Sequence, residues 1–155
     1  MKRDIKKICY CGQPTPYKEC CQPYHLGKLA PTPETLMRSR FSAFATANAS
    51  YIVDTQIATL SQDINTETFS QELQAQNWIR LEVIEAKDDR VAFIASMLYN
   101  EILYALKETS SFIKENEKWY YAKAIEHQDS ERKIKRNEGC PCGSEKKYKQ
   151  CCQKV

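Results

Sequence analysis

The sequence predicts an α+β fold, in which three helices precede a four-stranded antiparallel sheet and a small cysteine-rich module lies at each end. All four Gly and all six Pro lie outside residues 34–138, so regular structure fills the middle of the 155-residue chain. Within that middle, helical spacing of apolar residues gives way at Trp78 to runs rich in aromatic and branched residues. We therefore divide the chain into an N-terminal module (1–31), a middle domain (32–128) and a C-terminal segment (129–155).

The first predicted helix has a strong start signal, with Thr32 as N-cap, Pro33 in the first position and Glu34 in the first turn. Apolar residues then recur at helical spacing, at Leu36, Met37, Phe41, Phe44 and Ala45. This pattern predicts a helix that packs one face against the core.

Two shorter helices are expected next. One spans about 50–58 and buries Tyr51, Ile52 and Ile57. The other spans about 66–76, is capped by Asn65 or Thr66, and carries Phe69 and Leu73.

Four strands follow in sequence, separated by short polar breaks. Their predicted bounds are Trp78–Ala86, Arg90–Leu98, Leu103–Glu115 and Lys118–Ile125. Sequential strands with short connections favour an antiparallel meander with the helices on one face. We expect residues 129–138 to form a charged linker that is solvated and partly helical.

The cysteines form two copies of one motif, C-x-C followed after eight residues by C-C. The copies are Cys9, Cys11, Cys20 and Cys21 near the start, and Cys140, Cys142, Cys151 and Cys152 at the end. Each copy also has a Gly after its second cysteine and a Tyr-Lys pair in the spacer. No cysteine lies outside the two motifs.

Segments this short cannot bury enough apolar surface to fold alone, so each module needs another source of stability. Four thiolates around one zinc ion supply it, and four protein ligands leave no open position for catalysis. We therefore predict two structural Zn²⁺ ions per chain. Because adjacent cysteines reach one metal only from a turn or a helix end, we expect a short helical turn before each Cys-Cys pair. The alternatives are two disulfides per module or inert thiols, but a disulfide between adjacent cysteines is strained.

Charge is segregated along the chain. Residues 1–33 carry +4, residues 34–130 carry −6 and residues 131–155 carry +5. A divalent metal held by four thiolates adds −2 to each end, so the basic residues partly compensate thiolate charge. This weakens a nucleic-acid interpretation based on charge alone. The basic run 132–136 is either a soluble linker or a binding segment for an acidic protein or RNA surface.

The terminal motif resembles SEC-C, the zinc-binding module also found at the C-terminus of the preprotein translocase motor SecA. The whole chain is similar to the YchJ family of bacterial proteins. The resemblance rests on both cysteine motifs, Pro23-Tyr24, the run Leu36 to Phe44, the positions Glu108, Ser110 and Phe112, and Trp119-Tyr120-Tyr121. The chain departs from the family pattern at Ser111, Lys123-Ala124, Glu138-Gly139 and Glu145. The resemblance implies an NTF2-like middle domain, which often encloses a conical pocket.

The polar candidates for such a pocket are Arg38, Arg40, Glu108 and Ser110, with Tyr99, Tyr104, Tyr120 and Tyr121. In a functional interpretation, Arg38 or Arg40 pairs with Glu108 at the pocket mouth and binds an anionic ligand. In the alternative, which we favour, these residues form a buried ion pair or a solvated helix face. His25 is expected near the first metal as a supporting or surface residue, and His127 at the start of the linker.

We expect a zinc-binding, non-enzymatic protein–protein adaptor. Its resemblance to the translocase-motor module implies a partner in the secretion, chaperone or ribosome neighbourhood. The candidate partner-binding residues are Lys146, Lys147, Tyr148 and Lys149. The alternatives are a ligand-binding or enzymatic middle pocket, and a nucleic-acid binder that uses the basic C-terminal module. The absence of an apolar signal region or bilayer-length run favours a cytoplasmic protein without membrane insertion. The sequence leaves the oligomeric state open.

Overall fold

The computed structural model describes residues 7–154. The α-helices are α1 (Gln22–His25), α2 (Pro33–Ala45), α3 (Ala49–Asp54), α4 (Ala58–Ser61) and α5 (Thr66–Gln74). The strands are β1 (Trp78–Lys87), β2 (Arg90–Tyr99), β3 (Ile102–Glu115) and β4 (Lys118–Lys133). The strands pair antiparallel in the order β1-β2-β3-β4, which confirms the predicted α+β class and meander.

The helices begin where the sequence indicates. The Thr32 hydroxyl accepts a hydrogen bond from the Thr35 amide at 3.1 Å, and Asn65 caps α5 by accepting from the Thr68 amide at 3.0 Å. These side chains satisfy amide groups that have no partner within the helix.

The predicted second helix is interrupted. Residues 55–57 separate α3 from α4 and run beside the edge of β4. The Tyr121 amide donates to the Thr55 carbonyl at 2.8 Å, and the Ile57 amide donates to the Tyr121 carbonyl at 3.0 Å. Extended backbone here covers an otherwise unpaired strand edge.

The prediction of a partly helical linker after residue 128 is wrong. β4 continues to Lys133, because residues 102–107 of β3 offer backbone partners along the whole stretch, from Lys107 opposite Gln128 to Ile102 opposite Lys133. The sheet therefore extends beyond residue 128, the predicted end of the middle domain.

The hairpin turns use residues with positive φ. Asn100 and Glu101 have φ of 48° and 65°, and Asn116 and Glu117 have 50° and 67°. Two consecutive positive values suit a two-residue turn whose twist matches the flanking strands. Asn tolerates this conformation, so the meander needs no glycine.

One face of the sheet, here called the inner face, packs against α2. Leu36, Met37 and Phe41 of α2 share a core cluster with the inner-face residues Leu81, Val91, Phe93, Ala95 and Phe112. Directly paired residues of antiparallel strands point to the same face, so the register assigns Glu108 and His127 to this face as well.

The two cysteine modules pack differently. Cys9, Cys11 and Cys21 belong to the same core cluster as α2 and the inner face. Cys140, Cys151 and Cys152 belong to a separate cluster with Ile79, Leu98, Ile134 and Tyr148 on the other side of the sheet. No helix in the described residues is long and apolar enough to cross a membrane.

Candidate metal centres and the central cavity

The N-terminal cluster consists of Cys9, Cys11, Cys20 and Cys21, whose sulfur atoms all lie within 4.8 Å of one another. The Sγ atoms of Cys11 and Cys20 are 3.7 Å apart, and those of Cys20 and Cys21 are 4.0 Å apart. Gly12 follows the C-x-C pair with φ of 92°, a value that L side chains rarely adopt. The expected helical turn before the pair is confirmed as a 3-10 helix at Tyr17–Glu19.

The C-terminal cluster repeats this geometry with Cys140, Cys142, Cys151 and Cys152. Sγ of Cys151 lies 3.5 Å from that of Cys142 and 4.0 Å from that of Cys152. Gly143 has φ of 83°, and a 3-10 helix at Tyr148–Gln150 precedes the pair. The sequence repeat is therefore also a structural repeat.

The donor sets fit zinc. Zn–S bonds of about 2.3 Å in a tetrahedron place the sulfur atoms about 3.8 Å apart. The sulfur–sulfur distances given above for both clusters, 3.5 to 4.0 Å, bracket that value. They are far longer than a disulfide bond of about 2.05 Å. Thiolate-only sets favour zinc or iron–sulfur centres over hard cations.

The thiols of each cluster differ in acidity. Burial, together with the charges of Cys11 and Cys9, raises the pKa of Cys20 to about 12. Burial also opposes ionisation of Cys151, but hydrogen bonds from Ser144 and the neighbouring thiols lower its pKa to about 7. Hydrogen bonds from Cys11 and Cys21 hold the pKa of Cys9 below its ordinary value. A metal that binds four thiolates must displace the remaining protons, so loading weakens at low pH.

Residues of α1 and α2 hold the N-terminal cluster in place. Arg38 donates from Nη1 to the Cys11 carbonyl at 3.2 Å, and the Ser42 hydroxyl lies 3.6 Å from Cys9 Sγ. His25 joins the module to α2, with Nδ1 2.7 Å from the Tyr17 hydroxyl and Nε2 2.8 Å from the Ser39 carbonyl. His25 is therefore a bridging residue and not a surface loop residue.

The C-terminal module has one packed side and one exposed side. Tyr148, predicted to bind a partner, is only 4% exposed and packs with Leu98 and Ile134, so this expectation is corrected. Lys146 and Lys147 are exposed and Lys149 is half-buried. Lys135 and Arg136 add to the exposed basic residues near the module.

Arg38 and Arg40 project to different places, and neither forms an ion pair with Glu108 among the described residues. Arg40 is buried and donates to the Ile52 carbonyl at 2.9 Å and to the Thr55 hydroxyl at 2.8 Å. Its guanidinium lies 4.9 Å from the centre of the Tyr121 ring. Burial lowers the pKa of Arg40 to about 10, which leaves it charged at neutral pH.

Glu108 forms the centre of a polar network on the inner face. It accepts hydrogen bonds from the Ser110 hydroxyl at 2.6 Å and the Tyr121 hydroxyl at 2.8 Å. His127 Nδ1 lies 3.3 Å from the other oxygen of Glu108, and His127 Nε2 lies 3.0 Å from Asp129. The structure thus brings Glu108 and Ser110 together, as expected, but with Tyr121 and His127 in place of the arginines.

A cavity of about 520 Å³ opens on the inner face beside this network. Its lining includes Trp78, Met97, Tyr104, Leu106, His127, Asp129 and Glu131. Arg38, Arg40, Ser110 and Glu108 do not line it. Glu108 is instead among the residues around a smaller cavity of about 250 Å³, most of whose lining, including Thr109 and Glu126, lies on the opposite face of the sheet.

Family comparisons agree with this architecture. Residues 32–124 match the model of the YchJ middle NTF2-like domain, and residues 136–154 match the SEC-C motif. The chain belongs to the YchJ family.

Curated relatives match nearly the whole chain. A UPF0225 protein of Vibrio cholerae is 36% identical over 151 residues, which cover 93% of this chain and 98% of that protein. A UPF0225 protein of a Shewanella species is 38% identical over 162 residues, which cover 96% and 97%. One from an Enterobacter species is 38% identical over 156 residues, which cover 96% and 99%.

Two solved structures share the fold. The solution structure of a SEC-C motif containing protein from Rhodopseudomonas palustris has a TM-score of 0.66 and 28% identity, over 76% of this chain and 96% of that one. The crystal structure of a SEC-C motif containing protein from Psychrobacter arcticus has the same TM-score and identity, over 96% and 97%.

In this YchJ-family chain, sequence reasoning missed the role of His127, Asp129 and Glu131. The sequence predicts the end of the domain at His127 and a linker from Asp129, whereas the structure places all three residues on β4, where they line the cavity. Their spacing of two residues was the available signal, because alternate residues of a strand share a face.

Proposed function

We propose that the protein is a zinc-stabilised, non-enzymatic adaptor that binds a protein partner through its C-terminal module. The supporting observation is the division of that module into a packed side and an exposed basic side. Its cysteines and Tyr148 pack against the sheet, while Lys146 and Lys147 are exposed. The N-terminal cluster is built into the main core, so its role is structural.

Each cluster binds one Zn²⁺ in this proposal. The four thiolates of each site close its coordination shell, so the metal supplies folding energy locally and activates no water. Eight reduced thiols in two four-sulfur sets suit a reducing compartment such as the cytoplasm.

The partner surface is acidic in this proposal. The exposed residues Lys135, Arg136, Lys146 and Lys147 lie in or beside the C-terminal module. Complementary charge speeds association and selects partners more than it adds affinity. The resemblance to the module of the translocase motor supports a partner in the secretion, chaperone or ribosome neighbourhood.

Site-specific photo-crosslinking in cells tests the proposal. A photoreactive amino acid at Lys146 is expected to give a discrete protein adduct, while the same group at the exposed Asp63, between α4 and α5, gives none. The substitutions Arg136→Glu and Lys147→Glu should reduce the adduct at Lys146. Equal adducts at both positions, or no adduct, would contradict the proposal.

The same experiment distinguishes a protein adaptor from a nucleic-acid-binding protein. An adduct that nuclease removes, together with RNA binding that weakens steeply as salt increases, would assign the basic side to nucleic acid. A protease-sensitive, nuclease-resistant adduct supports the adaptor.

A further inference from the structure

The inner-face cavity is an open cleft that is large enough to hold a small molecule. Its volume of about 520 Å³ falls within the range of about 300–1,000 Å³ that is usual for ligand pockets. Met97, Leu106 and Ala95 supply an apolar floor from two adjacent strands. Removing apolar surface from water is favourable, so an apolar ligand group that covers this floor is stabilised there.

The aromatic ring of Trp78 also lines the cavity. The Trp78 ring packs edge-on against Phe41 and Phe44, with ring centres 6.2 and 5.8 Å away. Its Nε1 donates to the Gln76 side chain at 2.9 Å, which fixes the orientation of the indole. An indole ring that lines a cavity is a favourable partner for a cation.

The side chains that line the cavity carry a net negative charge. Asp129 and Glu131 come from β4, where they pair with Leu106 and Tyr104 of β3. No Lys or Arg lines the cavity among the described residues. Within residues 7–154, His127 is the only basic side chain in the lining, and it lies between Asp129 and Glu108. Even with His127 protonated, the two lining carboxylates of Asp129 and Glu131 leave a net negative charge.

We propose that this cavity binds a small organic amine, whose apolar part covers the floor and whose ammonium group lies near the Trp78 ring and the β4 carboxylates. The negative charge of the lining favours a cationic ligand, whereas Arg38 or Arg40 in the cavity would have favoured an anionic one. The site lies on the inner face of the sheet and depends neither on a partner at the C-terminal module nor on its basic residues.

A matched set of probes tests the charge preference. 2-Phenylethylamine, 2-phenylethanol and phenylacetate share a ring and differ in charge. Titrations of the full, metal-loaded chain are followed by amide chemical shifts of Ala105, Leu106 and Ser130. The amine is expected to shift these signals saturably, the alcohol to bind more weakly, and phenylacetate to bind weakest. The proposal is overturned if the amine does not saturate, or if all three bind equally.

Isosteric variants test the residues. Asp129→Asn combined with Glu131→Gln should weaken amine binding about fivefold, as expected for two partly exposed ion pairs. Glu126→Gln is the control, because Glu126 pairs with Thr109 on the opposite face of the same strand. Equal weakening by the control would contradict the site.

A second copy of the chain is the competing occupant. Light scattering of the original chain and the double variant separates the two cases. A monomer in both, with amine binding weakened only in the variant, supports the proposal. A dimer that the double variant dissociates would assign the cavity to an interface and overturn it.

Discussion

The two histidines of this chain have opposite environments. His127 lies between Asp129 and Glu108, whose hydrogen bonds raise its pKa above the ordinary 6.5. Burial lowers the pKa of His25 below the same value. NMR titration of the imidazole signals should show His25 titrating at lower pH than His127. Asp129→Asn should lower the pKa of His127 and leave that of His25 unchanged, and a shared midpoint would contradict these contacts.

The same pKa shift has a defined effect on stability. Because folding raises the pKa of His127, its contribution is fully present below pH 6.5 and is lost as pH rises through the folded value. The contribution is small, since this side chain is 47% exposed.

Arg40 is a buried charge that connects α2 to α3 and to the segment 55–57 through hydrogen bonds. Arg40→Leu should lower the free energy of unfolding by about 2–4 kcal/mol, because the Ile52 carbonyl and the Thr55 hydroxyl lose a buried donor. Urea denaturation measures this change. Arg80→Leu on the exposed surface of β1 is the control, with an expected change within about 0.5 kcal/mol. Equal effects would refute a structural role for Arg40.

At the scale of elements, the two cysteine modules should differ in their coupling to the sheet. Cys11→Ser removes a side chain that packs with α2 and Phe93, so it should lower the unfolding midpoint of the middle domain by about 10 °C. Cys151→Ser should unfold the C-terminal module and shift that midpoint by about 3 °C or less. Calorimetry with tryptophan fluorescence distinguishes them. Equal shifts would show that both modules are integral to one cooperative unit.

The elements that the sequence predicts well are those with a periodic apolar pattern. α2 begins at Pro33 as the cap and proline indicate, and β1 to β3 match their predicted runs within about one residue. β4 exceeds its prediction because residues 126–133 are polar and charged, types with low strand preference. Backbone pairing with β3 sustains them, and a single sequence does not reveal which partner a strand has.

For the whole molecule, the fold and the thiol clusters follow from the sequence more readily than the cavity does. Both four-cysteine sets assemble as their spacing predicts. The cavity depends on the strand register, which aligns Asp129 with Leu106 and Glu131 with Tyr104. Residues far apart in sequence determine these features, so the arginines named from the sequence lie elsewhere.

The central claim, two zinc ions held by eight thiolates, is tested most directly by elemental analysis of the purified, chelator-washed chain. The account predicts two zinc ions per chain in the original protein, and one in Cys151→Ser, which retains the N-terminal cluster. Iron in place of zinc, or a metal-free chain with oxidised thiols, would contradict it.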